Sequence, residues 1–198
     1  IMHKNIEREI LNLIPSGAKV LDLGSGDGAL LAKLAEKNIE GHGVEIDSKR
    51  LIASLSKGVS VTQKDIDRGL SEFNNLGFDF VVMANSIQCL RRPHEALNNI
   101  FEIANECAVT IPNFGFWKIR LKLLKGVMPV SKSLPAKWYE TKNIHLCTIK
   151  DFEELCFEKK ITIKKKFYFN ENYMPLNSVL ISRANLFAAE AVYHLEKQ

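Results

Sequence analysis

The chain has 198 residues, 46% of them hydrophobic and 25% charged, with a net charge of +4 and four cysteines. That length suits one domain, residues 1–198, with a full sheet-and-helix core, and a mild positive charge favours anionic partners only where it clusters. Cys89, Cys107, Cys147 and Cys156 are scattered without a CxxC pair, which argues against a secreted disulfide framework and for reduced thiols in a cytoplasmic protein.

The opening stretch IMHKNIEREILNLIP has no long apolar core, so it reads as no signal peptide, and no apolar run in the chain approaches a membrane span. Residues 4 to 14 predict a short amphipathic helix stopped by Pro15 and Gly17. AKVLDL (18–23) predicts a buried strand, and Asp27 to Lys37 a helix with Leu30, Leu31 and Leu34 on one side. GHGVEI then predicts a strand, Ser48 to Ser56 a helix, and VSVTQ a short third strand. FDFVVMA (78–84) is the most apolar strand, Pro93 opens a helix to about Ala104, and CAVTI (107–111) follows. Alternating strand and helix with unbroken apolar strands predict a parallel sheet covered on both faces, with ligands beyond the carboxyl ends of the strands.

The second half differs. From Asn113 to Tyr139 there are six lysines and arginines and no acid, with Trp117, Leu121, Leu124 and Met128 at helical spacing. A helix at 150–158 and a strand through ITIKKKFYF follow, and EAVYHL (190–195) predicts a last, antiparallel strand. The lysines of IKKK (163–166) read as a solvated face.

Between the first strand and helix stands DLGSGDG, where Gly24, Gly26 and Gly28 allow positive φ and close approach of a ligand to the backbone. The same letters satisfy the dinucleotide pattern through Gly24, Gly26 and Ala29, so charge has to decide. A pyrophosphate would be repelled by Asp22 and Asp27. The ammonium and sulfonium of S-adenosylmethionine (SAM) would be attracted by them. Glu45 is then the expected acceptor for the ribose hydroxyls and Asp65 for the adenine amino group, with Ile46 and Ile66 covering the ring. Asp27 serves equally well as a helix N-cap.

The order DLGSGDG, VEID, QKDID, FDFVV resembles class I SAM-dependent methyltransferases. LRRPHEAL, IPNFGFWKIRLKLL, MPVSKSLPAKWYET and NIHLCTIKDFEELC narrow the resemblance to the methionine biosynthesis protein MetW family, over nearly the whole chain. Ser25 stands where that family commonly has Cys, and Ala184 and Ala188 where Pro and Gly are usual. The resemblance implies a Rossmann-like fold with a mostly parallel seven-stranded sheet and an antiparallel last strand. It also implies SAM or S-adenosylhomocysteine as cofactor, and work in methionine biosynthesis with homoserine O-acetyltransferase.

The sequence of the acceptor side is sparse. The loop ANSIQCL lacks the N-P-P-[YF] arrangement of amide and base methylation. Asn85 and Gln88 can face the cofactor's methionine end or an acceptor, or simply make loop hydrogen bonds. His145 is the candidate general base, because histidine titrates near neutral pH, although a histidine in such a loop is more often structural. Trp117, Trp138 and Tyr139 can build an acceptor pocket or a partner surface. His3, His42, His94 and His194 form no metal-ligand spacing with the cysteines. The basic segment at about 113–147 lacks a nucleic-acid module and is short for a membrane-surface helix, which leaves a cover over the cleft or a protein-docking face. Two roles stay open: a regulatory SAM-binding protein, or an active methyltransferase on a small acceptor.

Overall fold

The computed structural model describes residues 2–132, 135, 137–140 and 144–198. Within the basic segment, residues 133, 134, 136 and 141–143 lie outside the described residues. The chain begins with α1 (Lys4–Leu13), capped where the His3 side chain accepts a hydrogen bond from the Asn5 N–H, and it buries Ile6, Ile10 and Leu13. Next come β1 (Lys19–Leu23), α2 (Ala29–Glu36), β2 (Glu40–Glu45), α3 (Ser48–Ser56) and β3 (Ser60–Gln63). After β4 (Phe80–Met83), α4 (Pro93–Ile103) and β5 (Glu106–Pro112) the helices α5 (Trp117–Leu124) and α6 (Ile149–Glu158) follow. The chain then forms β6 (Ile161–Phe169), two four-residue helices, α7 (Ser178–Ile181) and α8 (Ala184–Phe187), and β7 (Glu190–Lys197).

The strands make one sheet in the order β3-β2-β1-β4-β5-β7-β6. β1 to β5 pair in parallel, and β7 pairs antiparallel with both β5 and β6. This is the mixed sheet expected from the sequence. Each face carries its own core. On one, Ile6 and Ile10 of α1 and Leu30, Leu31 and Leu34 of α2 pack on Val20, Phe80, Val82 and Ala108. On the other, Leu97 and Ile100 of α4 and Phe152 of α6 pack on Val81, Met83, Val109 and Tyr193. β6 is an outer strand with an irregularity between Ile163 and Lys165; Lys164 bonds to Glu106 and Glu196, and Lys166 to Glu153.

Two local expectations are corrected, and two short helices are added. α2 starts at Ala29 rather than Asp27, because Gly28 at its N-cap has a φ of 73°, outside the helical region. α5 stops at Leu124, followed by Gly126 at φ 71°, so Met128 falls outside the helix that its spacing suggested. α7 and α8 had no counterpart in the sequence reading, since four residues are too few to show a period. The side-chain amide of Asn113 donates to the main-chain oxygens of Asn185 and Ala188 and so ties the end of α8 to the end of β5.

The chain order reverses between β1 and β4, whose neighbours lie on opposite sides of β1, and this opens a crevice at their carboxyl ends. Close approach keeps it in shape. A Cβ on Gly43 of β2 would lie 2.6 Å from Ser25 Oγ and 2.7 Å from Leu31 Cδ1. Gly43→Ala is therefore expected to destabilise the fold by about 1–3 kcal/mol through overpacking, read as a lower urea midpoint. An unchanged midpoint would mean that the turn yields freely.

Candidate functional site

β1 runs straight into the glycine turn, and β2 holds it from the side. The N–H groups of Gly24 and Ser25 both donate to the Val44 carbonyl, at 2.8 and 3.0 Å. Gly24, Gly26 and Gly28 have φ of 80, 60 and 73°, a left-handed path that side chains other than glycine resist. A Cβ on Gly24 would also run into Ser86 Oγ, so the turn and the loop after β4 press together.

Glu45 sits beneath the turn. Its Oε2 accepts from the Gly26 N–H at 2.8 Å, and its Oε1 accepts from the N–H groups of Ile46 and Asp47, each at 2.9 Å. Asp22, at the end of β1, is 3% exposed. Burial, with the Glu45 charge adding to it, pushes the Asp22 carboxyl from 3.8 up to about 7. Ser25 is buried and its Oγ has no hydrogen-bond partner. Asp27 points the other way in charge terms. The Lys57 ammonium, 2.7 Å from Asp27 Oδ2, holds that carboxyl below its ordinary value.

The glycine turn and Asp22 border a cleft of about 460 Å³, while Glu45, buried beneath the turn, is outside its lining. Asp22, Gly24, Ser25, Gly26, Asp27 and Asn85, all candidates from the sequence, line it together. Asn85 has a φ of 55°, and its N–H donates to Thr110 Oγ1 at 2.8 Å, which fixes the loop at the head of β4. Gly28 starts α2 behind the turn.

Other candidates lie outside this lining. Ile46 is 59% exposed next to Glu45. Asp65 accepts from the Asp67 N–H at 3.0 Å and so caps a single 3-10 turn, while Ile66 packs against the α4–α6 core. Gln88 and His145 lie together in a different cavity, where the main-chain N–H of His145 donates to the main-chain carbonyl of Gln88 at 2.7 Å. Trp117 and Tyr139 are exposed and line neither cavity. Sequence reasoning missed the basic part of the cleft wall. Lys4 and Glu7 from α1, Lys33 from α2 and Arg50 from α3 line it, with Lys33 paired to Glu7. The amphipathic pattern of α1 marks its apolar side alone and carries no signal for the cleft on its polar side. The described residues contain no metal-binding cluster and no helix long and apolar enough to cross a membrane.

Comparison with known proteins agrees with this geometry. A family model described as methionine biosynthesis protein MetW matches residues 4–195. A bifunctional methionine biosynthesis protein MetXA/MetW from Rhodopirellula baltica is 28% identical over 175 residues, 83% of this chain. The chain spans 28% of that relative's length. Among solved structures, a SAM-dependent methyltransferase from Methanosarcina mazei superposes with a TM-score of 0.68 at 16% identity, covering 96% of each chain. One from Thermotoga maritima gives 0.68 at 15% identity, covering 98% of this chain and 88% of that one. Magnesium protoporphyrin IX methyltransferase from Synechocystis, solved with S-adenosylhomocysteine bound, gives 0.65 at 13% identity, covering 98% and 83%. The fold is the Rossmann-like fold of class I SAM-dependent methyltransferases.

The raised Asp22 carboxyl links the cleft to stability. Between 3.8 and about 7 the native state keeps a proton that the unfolded chain has released, so this group's contribution falls as pH rises through that window and is level above it. Asp22→Asn removes the charge and keeps the shape. It should gain stability over the wild type at pH 8 and far less at pH 5, by denaturant unfolding. Glu190, also raised to about 7 by burial, leaves a residual slope in the variant. Equal differences at both pH values would show that the Asp22 charge is not the strained element.

Proposed function

Since the chain belongs to the methionine biosynthesis protein MetW family, we propose that it binds SAM or S-adenosylhomocysteine in the cleft and reports that state to homoserine O-acetyltransferase. The carrying observation is the buried Asp22 carboxylate beside the glycine turn, in a cleft that Lys4 and Arg50 also line. A ligand that carries a cation suits that carboxylate. The amino-acid end of SAM is zwitterionic, and the cleft offers both signs: Asp22 for the ammonium, Lys4 and Arg50 for the carboxylate. Glu45 retains one lone-pair site, on Oε2, for a ribose hydroxyl beyond its three backbone donors. Asp65 is assigned to the adenine amino group, with Ile46 and Ile66 beside the ring. Gly24, Gly26 and Gly28 keep the backbone close to the ligand, and Asn85 faces its methionine end. When bound, SAM supplies an electrophilic methyl group on a sulfonium.

The cleft wall supports sensing over turnover. No histidine or cysteine lines it among the described residues, and its acids are buried or ion-paired. His145, the candidate base, lines the other cavity. The partner is assigned from the R. baltica relative, whose name joins MetXA to MetW. Its docking face is assigned to the segment carrying Trp117, Leu121, Leu124 and Tyr139, all exposed, beside Lys122 and Lys125. Arg120 is excluded from that role, because its Nε donates to the Gly115 carbonyl and serves the segment's own fold. The competing reading, a methyltransferase acting on a small acceptor, is favoured by the loop that places Asn85 at the cleft.

Two measurements test this. SAM affinity by calorimetry should rise as pH goes from about 6 to 8, as Asp22 ionises, and Asp22→Asn should lose that rise and bind roughly tenfold or more weakly at the higher pH. A pH-independent affinity that survives the substitution would remove Asp22 from the site. Leu124, 83% exposed, can be changed without disturbing the core. Leu124→Asp should weaken acyltransferase capture and leave SAM affinity unchanged. Rapid methyl transfer to small thiols, amines or carboxylates, with no SAM effect on the acyltransferase, would decide for the enzyme.

A further inference from the structure

The loop after β4 is a partition between two cavities. Ala84, Asn85 and Ser86 line the cleft, and the next two residues, Ile87 and Gln88, line a second cavity of about 170 Å³. This one opens toward the α4–α6 side, since Ile87, Ile111 and Phe152 of its wall belong to that core. Pro93 and Leu155 complete an apolar lining, and Cys147, His145 and Asp151 stand at its polar positions.

Most of the polar groups are already committed. Asp151 forms a capping box with Thr148, accepting from the Thr148 N–H at 2.9 Å. Burial pushes the Cys147 thiol up to about 11, with Asp151 adding to the effect, so it is a neutral wall group and no nucleophile. The Gln88 main-chain oxygen receives the His145 N–H. The His145 imidazole is exposed, so one buried group is left over. Gln88 is 8% exposed, and its Oε1 is buried without a hydrogen-bond partner. A carbonyl oxygen that has left water without finding a donor is a penalty that a ligand N–H removes.

We propose that this cavity is a second ligand site, for a small molecule with a short aliphatic body and an N–H donor, a primary amide or amine. The donor meets Gln88 Oε1, and the body packs against Ile87, Ile111 and Phe152. An apolar enclosure with one directed polar group is the usual build of a small-molecule site. The site does not depend on the cleft reading, and its test is run without cofactor, so the two can fail separately.

Three probes of equal heavy-atom count separate the possibilities: isovaleramide, 4-methyl-2-pentanone and isovalerate. They differ only in whether an amide NH2, a methyl or a carboxylate oxygen ends the chain. Isovaleramide should shift protein NMR signals of the Ile87, Ile111 and Phe152 side chains saturably. It should bind up to about tenfold more tightly than the ketone, the size of one hydrogen bond. Gln88→Leu, which replaces the unpartnered amide with an apolar group of similar size, should erase that difference while the ketone still binds. Equal binding of amide and ketone overturns the proposal, as does a preference that survives Gln88→Leu. So does tightest binding of isovalerate, which would make an N–H of Gln88 or of the His145 imidazole the recognising group. Displacement of isovaleramide by S-adenosylhomocysteine would make the cavity an extension of the cleft, and absence of saturable isovaleramide binding would remove it as a site.

Discussion

The Glu45 carboxylate is the element on which the cleft depends. It gathers three backbone N–H groups, from Gly26, Ile46 and Asp47, around one charge at the carboxyl end of β2. Hydrogen bonds to an ionised acceptor are among the stronger ones a protein makes. Here they join two crossover connections, the turn from β1 into α2 and the turn from β2 into α3. Without that charge the Gly26 N–H would lose its partner, leaving the turn to its bonds with Val44, the Ser54 hydroxyl on the Gly26 carbonyl and the Lys57–Asp27 pair. The same charge acts on Asp22, helping to keep that carboxyl partly protonated near neutrality. One residue thus sets both the shape of the turn and the charge state of the group next to it.

Much of this was legible in the sequence, for a physical reason. The buried strands are continuous apolar runs, and a glycine that needs positive φ has few substitutes, so both leave marks in the letters. Asp22 and Glu45 stand out in the letters because an acid at the end of an apolar strand is costly unless it has work there. What was illegible depends on tertiary placement. Lys4, Lys33 and Arg50 look like ordinary solvated positions until three helices bring them to one rim. Gln88 and Asn85, three positions apart in one loop, face different cavities on opposite sides of the sheet, and nothing in their spacing announces it. The end of α5 was misplaced because the apolar period runs on past Leu124, while Gly126 turns the backbone away.

The two halves of the molecule also differ in how they manage polar groups. In the glycine turn the N–H groups of Gly24, Ser25 and Gly26 are taken by β2, while Ser25 Oγ is buried against Gly43 without a partner. On the far side of the sheet, Asn113 performs a similar gathering task. Its Nδ2 reaches two carbonyls of the α8 region and its Oδ1 accepts from Gly115 and Ile149, so β5, α6 and the last loop converge on one side chain. The small residues Ala184 and Ala188, both buried, permit this convergence where bulkier ones would push the loop outward.

The outer strand β6 gives the lysine run at 163–166 a meaning beyond solvation. An exposed strand edge offers unpaired N–H and C=O groups to any other extended chain. β6 meets this hazard with an irregularity at Ile163/Lys165 and with Lys164 and Lys166 tied to acids of neighbouring elements, and the opposite edge, β3, is only four residues long. Two molecules approaching along β6 would have to displace these ion pairs and straighten a kinked ladder before gaining any main-chain bond. The basic run thereby guards the sheet against growing from one molecule into the next.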